Sequence, residues 1–141
     1  MDFPFEAYKG ITLLSTEVDV LTELEHQVGE PIPPISYISW ITFGFTAENN
    51  NVTDLGLYSQ ELKSLPESFG NLTNLKELYL HYNQLNTLPE SFGQLQNLRT
   101  LFLHSNQLQT LPESFGNLTN LERLSLSHNQ LVSLSGSFGV L

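Results

Sequence analysis

Three of the four histidines in the sequence occur at nearly regular spacing. The interval from His81 to His104 recurs, one position longer, between His104 and His128. Neighbouring imidazoles can coordinate zinc, and histidine changes its charge near neutral pH, so this spacing raises metal binding and pH-sensitive binding as candidate chemistries. The sequence places no third metal ligand beside them, and a structural zinc site needs four. We therefore expect neither a metal site nor a cofactor.

Sequence motifs of catalysis are missing. The chain contains no Gly-x-Ser-x-Gly, no glycine-rich phosphate loop and no His-Glu-x-x-His. It has no cysteine, which excludes a catalytic thiol, a thiolate metal site and a disulfide. We expect a protein that is not an enzyme.

The charge balance is strongly acidic. The 141 residues include 15 acidic and 5 basic side chains, and residues 1–51 alone hold eight of the acidic ones. This balance argues against partners that carry many phosphates, such as nucleic acid and anionic membranes. The N-terminus lacks the pattern of a signal peptide, and no run of about 20 apolar residues occurs. We therefore expect a soluble, cytoplasmic protein.

The candidate residues lie within an internal repeat. Leu-Pro-Glu-Ser-Phe-Gly occurs at 65–70, 88–93 and 111–116, so its copies are separated by a constant offset. Leucine is concentrated in the same region, since 23 of the 27 leucines follow residue 51. A fixed period of this length is typical of stacked structural units that bury a shared core. The predicted units are 52–74, 75–97, 98–120 and a partial unit at 121–141.

Each unit reads Leu-x-x-Leu-x-Leu-x-x-Asn-x-Leu, as at Leu75, Leu78, Leu80, Asn83 and Leu85. This pattern resembles the leucine-rich repeat family, and the 23-residue period is similar to the intracellular Ras-group and plant-resistance types. The resemblance implies an α/β solenoid, a right-handed superhelix with short parallel strands on its concave face and 3₁₀ or helical turns on its convex face. It is specific for the fold and weak for the function, because such arrays serve unrelated partners.

Other repeated positions have predicted structural roles. A buried asparagine where each strand ends can bond to neighbouring units, and we expect such a ladder at Asn83, Asn106 and Asn129, with Gln60 in its place in the first unit. Proline before the return segment suits the first position of a short helix, as at Pro66, Pro89 and Pro112. A phenylalanine row should line the inside of the convex face: Phe69, Phe92, Phe115 and Phe138.

Residues 1–51 do not repeat and predict a capping region. Residues 17–28 have the apolar spacing of an amphipathic helix, with Thr16 as its cap and Gly29 as its end. Residues 30–34 contain three prolines and should be extended. Residues 37–46 favour a strand, because aromatic and β-branched side chains predominate there.

The capping region resembles the N-terminal cap of plant-type leucine-rich repeats. Trp40, Phe43, Phe45 and the following Val52-Thr53 match that layout, whereas the paired cysteines of secreted versions are missing. At the other end, Ser135-Gly136 replaces Pro-Glu, and no polar closing helix follows. We expect a fragment of a longer protein, a truncated reading frame or an array closed by another subunit, with Leu124, Leu126 and Leu131 uncovered.

The concave face is the predicted binding surface, because its outward side chains are free of packing in a solenoid. Two of its columns across the strands are Gly56-Tyr79-Phe102-Ser125 and Tyr58-His81-His104-Ser127. Outward aromatic residues are common interface anchors, although they also stabilise sheets by cross-strand packing. The predicted binding residues are Tyr58, Lys76, Tyr79, His81, Tyr82, Arg99, Phe102, His104, Arg123 and His128.

Together these patterns predict a non-catalytic interaction module that binds a protein or peptide. One alternative is the recognition arm of a larger signalling protein linked to a GTPase or ATPase. A second is a structural array that self-assembles through its open C-terminal edge.

Overall fold

The structure is a computed structural model that describes residues 4–132. The predictions for Phe138 and for Ser135-Gly136 lie outside the described residues. The helix and strands, in chain order, are β1 (Phe5–Tyr8), β2 (Ile11–Leu14), α1 (Ser15–Val28), β3 (Phe43–Glu48), β4 (Asn51–Leu57), β5 (Glu77–Tyr79), β6 (Thr100–Phe102) and β7 (Arg123–Ser125). Three 3₁₀ turns lie at Glu67–Asn71, Glu90–Gln94 and Glu113–Asn117.

Five strands form one sheet in the order β3-β4-β5-β6-β7. Strands β4 to β7 run parallel, and each is displaced from the next by one repeat period, which aligns Leu55, Leu78, Leu101 and Leu124. Alternate side chains of a strand point to opposite faces, so the leucines on one face of this sheet enter the core. The predicted solenoid, with short parallel strands on one side and 3₁₀ turns on the other, is therefore confirmed.

The 3₁₀ turns close the opposite side of the core with stacked phenylalanines. Phe69, Phe92 and Phe115 are fully buried, and successive rings are parallel within 5°, with centroids 6.0 and 6.1 Å apart. Each turn begins one residue later than predicted. Pro66, for example, precedes the turn with extended backbone angles, and its carbonyl accepts the first bond, from Phe69 N.

The asparagines at the strand ends link neighbouring units through backbone groups. Asn83 Oδ1 accepts bonds from the amides of Gln60 and Leu62, and its Nδ2 donates to the carbonyls of Leu57 and Leu80. One and two units later, Asn106 and Asn129 each accept a bond from one amide, that of Leu85 or Leu108, and donate to two carbonyls in the same way. Each side chain therefore satisfies groups of its own unit and of the preceding one.

The described leucines of the fourth unit are less covered than their counterparts. Leu124, Leu126 and Leu131 are partly buried, whereas Leu101, Leu103 and Leu108 in the third unit are fully buried. The incompletely packed leucines therefore lie in strand β7 and in the residues that follow it.

The N-terminal region differs from its prediction in three places before the first repeat, of which two concern the hairpin and the helix. Strands β1 and β2 pair as an antiparallel hairpin that was not predicted. Helix α1 starts at Ser15 rather than 17, and it has no side-chain cap at its first turn, so the prediction of Thr16 as the cap was wrong. The predicted end at Gly29 is confirmed, because that residue takes the left-handed conformation, with φ 90°.

The strand predicted at 37–46 was misplaced. Strand β3 covers Phe43–Glu48, and residues 36–42 form a turn in which Ser39 and Thr42 bond to each other through backbone and side chains. The preceding extended residues instead pair with β3, through the bonds of Ile35 N to Phe45 O and of Phe45 N to Pro33 O. The hydrogen bonds between Ser39 and Thr42 stabilise a turn here, although the neighbouring aromatic residues favour a strand.

A fully buried carboxyl group joins the helix to the repeats. Glu17 Oε1 accepts a 2.7 Å hydrogen bond from Val52 N, and its Oε2 has no hydrogen-bond partner among the described residues. Burial raises the pKa of Glu17 to about 7, with the bond from Val52 acting in the opposite direction. The folded protein therefore holds a proton at this site that the unfolded chain releases near pH 4.5.

This proton makes stability depend on pH near neutrality. Since the pKa is raised on folding, the stabilisation is complete below the unfolded value and is lost as pH rises through about 7. We expect the free energy of unfolding, measured in urea, to fall by about 1 kcal/mol from this group between pH 6 and pH 8. The Glu17→Gln variant, which cannot titrate, should lack that component, and an identical pH dependence in both proteins would contradict the assignment.

Candidate binding surface

Aromatic rings from three units and from the capping region meet on the concave face, the side of the sheet opposite the leucine core. The rings of Tyr79 and Phe102 lie 5.1 Å apart, and those of His81 and His104 lie 4.6 Å apart. These pairs are the cross-strand neighbours that the repeat period predicted. We call the full set the aromatic cluster: Trp40, Tyr58, Tyr79, His81, Tyr82, Phe102 and His104.

The centre of the aromatic cluster is buried although it faces away from the core. Tyr79 is 7% exposed and His81 is 0% exposed, because the surrounding rings cover them. Tyr82 and Trp40, in contrast, keep 53% and 56% of their surface exposed. The expectation that outward side chains here would be free of packing was thus wrong for the two central residues and holds at the rim.

Sequence reasoning missed the part of the capping region that covers this face. Residues 36–42, which we call the covering segment, pass directly over Gly56, and a Cβ placed there would lie 2.4 Å from the carbonyl oxygen of Thr42. The Trp40 ring consequently lies 6.2 Å from the His81 ring and 6.4 Å from the Tyr58 ring. The available signal was the glycine that precedes Tyr79 and Phe102 in their column across the strands, since glycine in a strand often marks close approach by other backbone.

The environment of the two histidines keeps them neutral. Both ring nitrogens of His81 are buried and make no hydrogen bond of good geometry to a described residue, although the Trp40 backbone lies near enough to interact with the ring. Burial, aided by the charge of His104 and opposed by the Trp40 backbone, lowers the pKa of His81 to about 4. Burial also lowers the pKa of His104, with His128 adding to the effect. The pH-sensitive binding predicted for these residues would therefore operate in acid rather than near neutrality.

No metal centre is formed by the described residues. Between residues 4 and 132, no three His, Asp or Glu side chains converge in a way that would hold an ion. His128 is exposed and makes none of the ring contacts that define the aromatic cluster.

A groove of about 790 Å³ runs beside the aromatic cluster, between residues 35–38 and the sheet. Lys76, Arg99 and Arg123, three of the predicted binding residues, lie here rather than among the rings. We call this feature the charged groove, and its ionisable side chains are Glu48, Asp54, Lys76, Glu77, Arg99, Glu122 and Arg123.

Hydrogen bonds hold two of the groove carboxylates in place. Thr46 Oγ1 donates to Asp54 Oδ2 at 2.6 Å, and the Tyr79 hydroxyl donates to Glu77 Oε1 at 2.6 Å. Burial raises the pKa of Asp54, the Thr46 bond lowers it, and the nearby charge of Glu77 raises it further. Burial and the bond to Glu77 also raise the pKa of Tyr79, so that hydroxyl remains a donor.

The model of a family described as a leucine-rich repeat region matches residues 52–137. The chain belongs to the leucine-rich repeat family. No curated protein matches the chain at a significant level.

Solved structures of other leucine-rich repeat proteins resemble this one. The chain is 26% identical to the leucine-rich repeat ectodomain of the receptor kinase SOBIR1 from Arabidopsis thaliana, with a TM-score of 0.65, over 86% of this chain and 70% of that one. It is 31% identical to a leucine-rich repeat protein of Leptospira interrogans, with a TM-score of 0.58, over 63% of this chain. The matched region spans only 29% of the Leptospira protein.

Leucine-rich repeat regions are typically interaction modules. None of the helices between residues 4 and 132 is long and apolar enough to cross a bilayer.

Proposed function

We propose that this leucine-rich repeat protein binds a protein or peptide segment on its concave face and carries out no reaction itself. The observation that supports this most directly is the aromatic cluster, which extends over three units and has an exposed rim at Tyr82 and Trp40. Aromatic side chains bury large areas at low entropic cost and are enriched among the residues that dominate binding energy.

The buried nitrogens of His81, which make no hydrogen bond of good geometry among the described residues, support the same assignment. A buried polar atom without a partner costs free energy unless another group bonds to it. His81 lies at the centre of the aromatic cluster and beneath Trp40, so movement of that ring would open its nitrogens to a polar group of a ligand.

The test is a selection of binding peptides from a displayed random library, followed by affinity measurement on variants. Tyr82→Ala combined with Phe102→Ala should weaken the selected peptides by roughly tenfold or more, because it removes two rings from the surface. Val132→Ala, which trims an exposed apolar side chain outside the sheet, is the control and should bind normally.

Thermal unfolding of the double variant shows whether the two rings contribute to binding or to the packing of the sheet. If the double variant loses stability while binding at normal affinity, the rings serve cross-strand packing and the proposal is wrong. Retained stability with lost binding is the expected outcome, since Tyr82 and Phe102 are not fully buried.

Specific observations favour each of the two alternatives. The likeness to a receptor-kinase ectodomain favours a recognition arm within a larger signalling protein. The partly exposed Leu124 and Leu126 beside strand β7 favour pairing of that edge with a second copy. A cytoplasmic location remains part of the proposal, and the missing cysteines are in keeping with it.

A further inference from the structure

The charged groove separates its charges along the direction in which the strands stack. Three carboxylates and one ammonium occupy the end next to the capping region: Glu48, Asp54, Glu77 and Lys76. Two guanidinium groups and one carboxylate occupy the other end: Arg99, Arg123 and Glu122. The first end is therefore net negative and the second net positive.

These charges are only partly compensated within the protein, by the ammonium of Lys76 near Asp54. No two of the ionisable side chains that line the groove form an ion pair with each other, and the pair between Lys9 and Glu25 lies outside its lining. Asp54 and Glu77 are direct cross-strand neighbours, and like charges in that relation destabilise a sheet. Each uses a carboxylate oxygen for the bond from Thr46 or Tyr79, and Asp54 also accepts a bond from the Glu77 backbone. The second oxygen of Glu77 is therefore the one available to a ligand.

We propose that the charged groove binds an extended peptide that places a basic side chain at Asp54 and Glu77 and an acidic side chain at Arg99 and Arg123. The inference rests on the proposed function and names the chemistry of its partner. Opposite charges at the two ends fix the register of such a peptide and speed its association.

The dimensions of the groove match a peptide of this kind. Asp54 and Arg123 are three strands apart in one register column, which corresponds to about 14 Å at the usual strand spacing. An extended peptide rises about 3.3 Å per residue, so residues four positions apart are separated by about 13 Å and point to the same face.

Other ligand classes fit less well. A free amino acid carries both charges on one residue, so it cannot reach both ends of the groove. A nucleic acid presents phosphates throughout, and these would meet Glu48, Asp54 and Glu77 at the negative end. A peptide of mixed charge satisfies both ends simultaneously.

The experiment measures the binding of blocked nine-residue peptides to the full chain by fluorescence anisotropy. The probes carry Lys and Glu four residues apart in either order, Lys at both positions, or Glu at both positions. We expect one Lys–Glu order to bind at least roughly tenfold tighter than the Lys–Lys and Glu–Glu probes. In Arg99→Glu combined with Arg123→Glu, the groove becomes acidic throughout and the Lys–Lys probe should bind best.

Controls make the outcomes unambiguous. Arg99 and Arg123 are exposed, and Arg99→Gln with Arg123→Gln supplies a milder pair that should remove the advantage of the Lys–Glu probe over the Lys–Lys probe. Lys63→Glu reverses an exposed charge outside the groove and should leave the ranking of the wild-type protein unchanged. The inference would be overturned if the affinities of the probes did not depend on their charges, or if the Arg99 and Arg123 variants did not change the order of those affinities.

The proposed function is judged separately. If library-selected peptides bind and lose affinity in the Tyr82 and Phe102 variant while charge has no influence, the concave-face proposal stands and the charged-groove inference fails. If neither the selected peptides nor the charged probes bind, both are wrong.

Discussion

Replacement of Asn83 by leucine should lower the free energy of unfolding by about 4 kcal/mol. The substitution keeps the approximate size of the side chain but removes an acceptor for the Gln60 and Leu62 amides and a donor for the Leu57 and Leu80 carbonyls. Buried backbone groups left without partners cost about 1–3 kcal/mol each, and the gain in apolar burial offsets part of the sum. Urea unfolding followed by circular dichroism measures the effect.

Asn97→Leu is the matched control for this prediction. Asn97 is exposed and donates one side-chain bond, to the Thr73 carbonyl, so its replacement should cost about 1 kcal/mol or less. Equal losses of unfolding free energy in the two variants would show that Asn83, between units, contributes no more to stability than an exposed asparagine does. A loss confined to Asn83 would show that the asparagine ladder is a principal bond between units.

The repeating part of the fold was predictable because each unit contains the residues that determine its own strand, turn and core. Leu78 and Leu80 alternate with outward residues, and Pro89 and Phe92 follow at fixed distances, so a single unit specifies strand, turn and core. The constant repeat period then fixes the register, which is why the pairing of Tyr79 with Phe102 and of His81 with His104 followed from counting alone.

The capping region was less predictable because nothing in it repeats. The hairpin of β1 and β2 turns at Lys9 and Gly10, which both have positive φ, and such a two-residue turn is readable in principle. Trp40 lies among residues with high strand preference, yet the Ser39 and Thr42 bonds turn the chain there. Short-range polar contacts of this kind do not change the spacing of apolar residues, so hydrophobic periodicity does not reveal them.

Burial in the aromatic cluster depends on contacts between residues distant in the sequence. The repeat pattern correctly places His81 on the outward face, but its full burial requires Trp40 from the capping region and rings from two neighbouring units. No single unit contains that information. The shift of the His81 pKa toward 4 follows from the same convergence and could not be read from its spacing.

Gly56 is the one residue whose type indicated that backbone approaches the sheet there, and we expect its replacement to displace the covering segment. In Gly56→Val, the new Cβ would meet the Thr42 carbonyl at 2.4 Å and the Ile38 side chain at 3.2 Å, so the covering segment must move. We expect a loss of about 3 kcal/mol in the free energy of unfolding, because overpacking against backbone relaxes poorly. Trp40 is the only tryptophan, and its fluorescence should shift to the red as its ring leaves His81 and Tyr58.

Ser125→Val provides the control, since Ser125 occupies the same register column three strands away. The same side chain at Ser125 should leave the Trp40 emission unchanged, because the covering segment lies over Gly56 and not over β7. Normal stability and emission in Gly56→Val would mean that the covering segment does not rest on the sheet. If the emission shifts, peptide affinity of the same variant then decides whether Trp40 anchors the ligand or shields the surface: affinity falls in the first case and rises in the second.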